Sequence, residues 1–155
     1  MRGAPIGPVA VLLAALLLGG CGDGESEEAT DTASASPSEG SPGAVSVDEL
    51  DGSIYQSTSV EGHELVPRTR VSISFKAGSM SVVAGCNTLF GDYEVEDGTL
   101  RWTAEPASTM RGCPDDLAAQ DAWLVELLDA GVAATLDGTV LTLTGDGVTI
   151  TLEHS

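Results

Sequence analysis

The sequence predicts a mainly β (α+β) domain: an antiparallel, partly open, barrel-like sheet carrying one amphipathic helix. Three observations predict it. From residue 53 onward, short runs rich in Val, Ile, Leu and Thr alternate apolar and polar side chains, the period of a half-buried strand. Asp-Gly pairs separate several of these runs, and such pairs favour tight hairpins because the turn needs positive φ, which Gly adopts cheaply. A single stretch keeps the helical period of 3.6 instead.

In chain order, the predicted strands are Ser53 to Val60, Thr69 to Lys76 and Ser79 to Ala84, with Val71-Ser72-Ile73-Ser74-Phe75 the clearest alternation. Gly91 to Val95 and Thr99 to Trp102 follow, joined through Asp97-Gly98. Val132 to Leu136, Val140 to Thr144 and Val148 to Glu153 close the series, joined through Asp137-Gly138 and Asp146-Gly147. The helix is predicted over Asp115 to Asp129, with Leu117, Leu124, Leu127 and Leu128 on one stripe and Glu126 and Asp129 opposite. Pro114, Asp115 and Asp116 supply its start and Gly131 its stop. Hairpins around one helix imply an antiparallel sheet with the helix covering an opening or an edge. Tyr55, Phe75, Phe90, Tyr93, Trp102 and Trp123 are the expected large anchors of the core.

Before the domain lie two segments of different character. Arg2, the apolar run from Val9 to Leu18 and the ending Leu18-Gly19-Gly20-Cys21 have the order of an export signal. Ten helical residues reach only about 15 Å, roughly half of a hydrocarbon core, so this run does not read as a permanent span. Leu18-Gly19-Gly20-Cys21 resembles the bacterial lipobox, which implies cleavage after residue 20 and a diacylglycerol thioether on Cys21 bearing chains such as palmitate. More than one acyl chain gives stable anchoring. Residues 21–47 are then a lipidated N-terminus and an acidic tether, and residues 48–155 the folded domain. From Gly22 to Val47 the tether has no aromatic residue and no cation, a composition that buries too little apolar surface to order itself.

The formal charge of −18 excludes several partners. Within the domain the cations are Arg68, Arg70, Lys76, Arg101 and Arg111, with no cluster of the kind that phosphate contact needs, so nucleic acid and anionic headgroups are not expected partners. The chain carries no phosphate-cradling loop, dinucleotide fingerprint or zinc-protease helix motif. Asp115 and Asp116 are a carboxylate pair that reads first as a helix start. Asn87 and Thr109 read as a left-handed turn residue and an ordinary strand residue, and the Asp-Gly turns lack the alternating acids of a calcium loop. No catalytic residue, cofactor or metal site is expected.

Gly85-Cys86-Asn87, then Phe90-Gly91-Asp92-Tyr93, then Ser108-Thr109-Met110 leading to Cys113-Pro114 and the helix resemble the META domain (HslJ-like) family in motif order. The opening Leu50-Asp51-Gly52-Ser53-Ile54-Tyr55 resembles the family's start, with Tyr55 where Trp is typical. The resemblance implies a small envelope domain, an antiparallel partly open barrel interrupted by one helix, and a connection with envelope stress or antibiotic tolerance rather than a reaction.

Three cysteines are present. With Cys21 assigned to lipid, Cys86 and Cys113 remain in an extracytoplasmic compartment, and a disulfide between them is the simplest inference. Metal binding by both thiols is the sharper alternative, but a closed zinc site takes four ligands and the only histidines are His63 and His154. The expectation is a non-enzymatic module on the extracytoplasmic face of the cell membrane, held by lipid on Cys21 and binding a protein, peptide or small apolar ligand. The alternatives are a hydrolase, a hydrolase inhibitor at the cell surface, or a passive spacer.

Overall fold

The computed structural model describes residues 43–155. The expected export signal, the lipid attachment at Cys21 and the tether up to residue 42 lie outside the described residues. The tether's last residues, by contrast, belong to the fold. Strand β1 (Gly43–Ala44) precedes a one-turn helix, α1 (Val47–Leu50). Val45 and Leu50 are buried. Residues 43–47 thus join the described fold ahead of residue 48, where Val45 is in the core and Val47 packs against it. Glu49 accepts hydrogen bonds from the Ser46 amide and hydroxyl at 2.9 and 2.7 Å, the Glu half of a capping box. These bonds hold the Glu49 carboxyl below its ordinary pKa.

The remaining strands are β2 (Ile54–Glu61), β3 (Ser72–Lys76), β4 (Ser79–Val83), β5 (Thr88–Glu96), β6 (Thr99–Trp102), β7 (Ala107–Ser108), β8 (Val132–Asp137), β9 (Val140–Gly145) and β10 (Val148–His154), with helix α2 (Asp115–Ala130) between β7 and β8. Every pairing is antiparallel. The order β8-β6-β5-β4-β3-β2-β10-β9 returns to β8 through the β8–β9 ladder, so eight strands form a closed barrel. The expected partly open sheet thus goes one step further and closes. Its narrowest seam is β6 against β8, where only Thr99↔Ala133 and Leu100↔Val132 pair. The short strands β1 and β7 are added outside this circuit, on β8 and β5.

Hairpin turns explain the register. The loops Asp97-Gly98 and Asp146-Gly147 each carry two consecutive positive φ values, the backbone twist that suits antiparallel strands. Ala77-Gly78 makes the same turn without an Asp or Asn to announce it. The third Asp-Gly pair is displaced by one residue, since Asp137 still pairs with Val140 and the loop is Gly138-Thr139.

An eight-stranded barrel is just wide enough for side chains to fill it. Phe75, Ile73, Met80, Leu100, Leu141, Leu143, Ile150 and Leu152 are fully buried in this core. Tyr93 and Trp102 pair across β5 and β6 and are buried with them. Burial, with the Asp51 and Asp48 carboxylates, pushes the Tyr93 phenol above its ordinary pKa. Trp102 Nε1 is the one buried side-chain polar atom without a hydrogen-bond partner among the described residues. Leu124, Leu127 and Leu128 of α2 complete the core, as the helical stripe predicts. One expected anchor is misplaced: Phe90 is 47% exposed. Strand β5 starts at Thr88, and its inward residues are Leu89 and Tyr93, so alternation turns Phe90 outward.

Candidate functional site

The motif residues around the two cysteines converge on one corner, where α2 meets the link from β4 to β5. Cys86 and Cys113 are disulfide-bonded, with Cα atoms 6.0 Å apart. Beside them the Asp121 carboxylate, 4% exposed, is enclosed by donors. The amides of Gly85 and Asn87 donate to it at 2.9 and 2.8 Å, and the Cys86 amide is shared between its two oxygens at 3.2 and 3.3 Å. Asn87 Nδ2 adds a fourth donor at 3.2 Å. Three consecutive amides around one anion form a nest, here occupied by a side chain of the same fold. Gly85 is required by the approach itself: a Cβ there would meet the Leu117 carbonyl oxygen at 2.4 Å and Asp121 Oδ1 at 2.8 Å.

Asn87 does not adopt the left-handed conformation expected of it. Its side chain is a brace instead: Oδ1 accepts from the Arg111 amide at 3.0 Å and from the Thr109 hydroxyl at 3.3 Å, while Nδ2 faces Cys113 Sγ at 3.4 Å. Thr109 lies just beyond β7 rather than within a strand, and its hydroxyl accepts from the Thr88 amide at 2.9 Å. Arg111 donates to the Cys86 carbonyl at 3.3 Å. With Thr109 and Arg111 fixed, a three-residue turn from the Arg111 amide to the Thr109 carbonyl, 2.6 Å, ejects the side chain between them. Met110 is 95% exposed, at the tip of a segment tied on both sides.

Gln120, the neighbour of Asp121, is also buried and ties α2 to the β2–β3 loop. Its Nε2 donates to Thr69 Oγ1 at 2.9 Å and to the Ala84 carbonyl, and its Oε1 accepts from the Val66 amide at 2.6 Å. Between that loop and α2 lies a cleft of about 220 Å³ lined by His63, Glu64, Val66, Asp116, Ala119 and Gln120. The His63 ring stacks on Trp123, with centroids 3.6 Å apart and planes 4° from parallel.

The outer face of β2 to β5 is the second notable surface. Ile54 pairs with Ser74, Ser74 with Ser81, Ser81 with Phe90, and Phe90 with Ala107, so one row crosses five strands with serines between two apolar ends. The next row is Gln56, Ser72, Val83 and Thr88. Among the described residues, Ile54, Val83, Phe90 and Met110 are the exposed large apolar ones. Three cations frame this face. Arg70 donates to Gln56 at 2.8 Å, Lys76 ends the β3 row opposite Ser79, and Arg111 sits at the disulfide corner. By contrast, Arg101 is held by Glu94 and Glu96 at 2.7 and 3.2 Å, and the Glu94 hydrogen bond raises its pKa further. Carboxylates adjoin these rows at two places: Asp92, in the Lys76-Ser79 row, accepts from the Ser79 hydroxyl at 2.6 Å, and Glu153 of β10 pairs with Gln56.

The family model of the META domain matches residues 48–155. The chain belongs to the META domain family. Two solved structures share the architecture of this META domain. One NMR structure is 25% identical with a TM-score of 0.56, over 70% of this chain and 94% of that one. The other, of a protein from Burkholderia xenovorans, is 16% identical with a TM-score of 0.59, over 83% of this chain and 98% of that one, and its likeness is one of fold. No curated protein matches the chain.

Of the residues singled out in the sequence, the META fold brings Cys86, Asn87, Thr109 and Cys113 together at one corner. It leaves Asp115 and Asp116 in the first turn of α2, and it separates the histidines: His63 lies against Trp123 and His154 against Tyr55. The sulfurs of Cys86 and Cys113 are consumed by their mutual bond. Among the described residues no three of His, Cys, Asp and Glu are grouped as metal ligands, and no helix is long and apolar enough to cross a membrane. Gln120, Asp121 and Arg111 were not legible as site residues. The signal for the first two was present, since they occupy the stripe that continues to Leu124, Leu127 and Leu128, where polar side chains need partners.

Proposed function

We propose that this chain is a lipid-anchored, extracytoplasmic META domain, non-enzymatic, that docks a protein partner on the outer face of β2 to β5. The observation that carries this reading is the contrast between buried and exposed groups. The buried polar side chains Gln120 and Asp121 are committed to hydrogen-bond partners within the fold, while Phe90, Val83 and Met110 are presented from tied backbone. Rigid apolar anchors beside a polar surround are the usual makings of a binding surface. Arg70, Lys76 and Arg111 give the face a positive frame on a chain of net charge −18, so the fitting partner segment is apolar and acidic.

The disulfide supports an oxidising compartment, and pairing Cys86 with Cys113 leaves Cys21, at the end of Leu18-Gly19-Gly20, as the odd cysteine available for lipid. Envelope stress or antibiotic tolerance is the setting that the family resemblance suggests. The test is a photo-reactive residue at Ser81, cross-linked in living cells and read by mass spectrometry. The expected product is a partner segment with apolar and Asp or Glu side chains, lost in a folded Phe90→Ser, Met110→Gln variant. A basic segment, a second copy of this chain, or no cross-link unique to the intact face overturns the assignment.

A further inference from the structure

At its Thr88 end, the outer face of β2 to β5 carries a thioether. We propose that Met110 is a reversible oxidation site, where a peroxide converts the thioether to a sulfoxide and so weakens docking on that face. The effect on docking rests on the assignment of the face as a binding surface; the selectivity of the oxidation does not. Thioether oxidation follows exposure. The chain has three methionines: Met1 lies in the expected export signal, Met80 is 1% exposed in the barrel core, and Met110 is 95% exposed. Both thiols of Cys86 and Cys113 are consumed by their disulfide, so among the described residues Met110 is the sulfur that a two-electron oxidant meets first. Its exposure is set by the backbone. The Thr109 amide donates to the Thr88 carbonyl at 3.1 Å, the Thr109 hydroxyl accepts from the Thr88 amide at 2.9 Å, and the Arg111 amide donates to Asn87 Oδ1 at 3.0 Å. Turning Met110 inward would break these bonds.

A net charge of −18 repels anionic oxidants, and hydrogen peroxide, which is neutral, is the fitting reagent. A lone pair of Sδ forms the S–O bond as the O–O bond breaks, and the released hydroxide takes the proton on the transferred oxygen and leaves as water. Sulfur loses two electrons and the peroxide gains them. A dithiol reductant removes the oxygen as water and becomes a disulfide. Because nothing shields one side of so exposed a sulfur, both sulfoxide epimers form, and full reversal needs both epimer-specific reductases. The sulfoxide is polar and accepts hydrogen bonds, so it must be desolvated to meet an apolar partner segment. The fold is spared, since a side chain 95% exposed contributes little packing.

The test exposes cells carrying the photo-reactive residue at Ser81 to graded hydrogen peroxide, then extracts the full chain for peptide masses and urea unfolding. Met110 is expected to gain one oxygen at least roughly tenfold faster than Met80, which reacts only when the core opens. The unfolding midpoint stays unchanged. The Ser81 cross-link falls on the order of tenfold, the effect of losing one Met-sized apolar contact, and returns after treatment with both reductases. Met110→Leu, which has no sulfur to oxidise, cross-links to the same extent with and without peroxide. Oxidation of Met80 at the same rate, a lower midpoint once Met110 is oxidised, or an undiminished cross-link from the oxidised chain overturns the proposal. So does equal peroxide sensitivity in Met110→Leu. Absence of the Ser81 cross-link before peroxide is added sinks the docking surface and with it the switch, whereas unselective oxidation sinks the site alone.

Discussion

Replacing Asp121 with Asn keeps the size of the side chain and removes what the corner depends on. The carboxylate accepts from three backbone amides and the Asn87 amide, at 2.8 to 3.3 Å, in a site 4% exposed. Asn has one acceptor oxygen, and its NH2 group would point a donor at donors. A buried donor left without a partner costs about 1–3 kcal/mol. With one or two of the four disappointed and the charge assistance lost, Asp121→Asn is expected to cost about 3 kcal/mol, and Asp121→Ala somewhat more. Against a typical total of about 5–15 kcal/mol this is a large fraction. Equilibrium urea unfolding is the assay, and at a slope of about 1–3 kcal/mol per molar the midpoint should fall by roughly 1–3 M. Asp129→Asn on the exposed side of α2 is the control, within about 0.5 kcal/mol of the parent. If Asp121→Asn shifts the midpoint no more than that control, the nest contributes no stability and the reasoning about the corner is refuted.

Three other outcomes follow from the same structure. Replacing both Cys86 and Cys113 with Ser opens a loop of 27 residues in sequence separation, for which chain entropy predicts a loss of about 3.5 kcal/mol by calorimetry or urea melts; an unchanged midpoint contradicts it. Tyr93 has a raised pKa, so the stability it contributes is present below its ordinary value of about 10 and is lost as pH rises through the raised value. Tyr93→Phe should therefore flatten the alkaline fall in stability, and an identical alkaline profile argues against the assignment. Ala77 holds φ 51° in the β3–β4 turn, a conformation Asn tolerates better, so Ala77→Asn should raise stability by about 0.5–1 kcal/mol; a lower melting temperature counts against that turn.

The barrel was legible because its order is local. Alternation in Val71-Ser72-Ile73-Ser74-Phe75 and the turns at Asp97-Gly98 and Asp146-Gly147 report their own geometry, and the Leu124, Leu127 and Leu128 stripe marks the buried side of α2. Closure was not legible, since two pairs between β6 and β8 leave no periodic trace. Strands of two residues, β1 and β7, are shorter than any period. Phe90 reads as a core anchor from its size alone, whereas its face is set by the start of β5 at Thr88, three residues ahead of the Gly91 that the alternation suggests. The corner divides in the same way: Cys86 and Cys113 were readable from cysteine number, while the roles of Asn87, Gln120 and Asp121 depend on which distant amides the fold brings to them. The cleft is a product of packing between a loop and a helix, and neither segment alone has a pattern that announces it.

The central claim is an exported, lipid-held and disulfide-stapled module. Intact mass of the membrane-extracted chain, alkylated with and without prior reduction, tests it most directly. The account predicts a chain beginning at Cys21 with the mass of attached acyl groups, and with Cys86 and Cys113 labelled only after reduction. A chain retaining residues 1–20 without lipid, or two thiols that label freely, contradicts it.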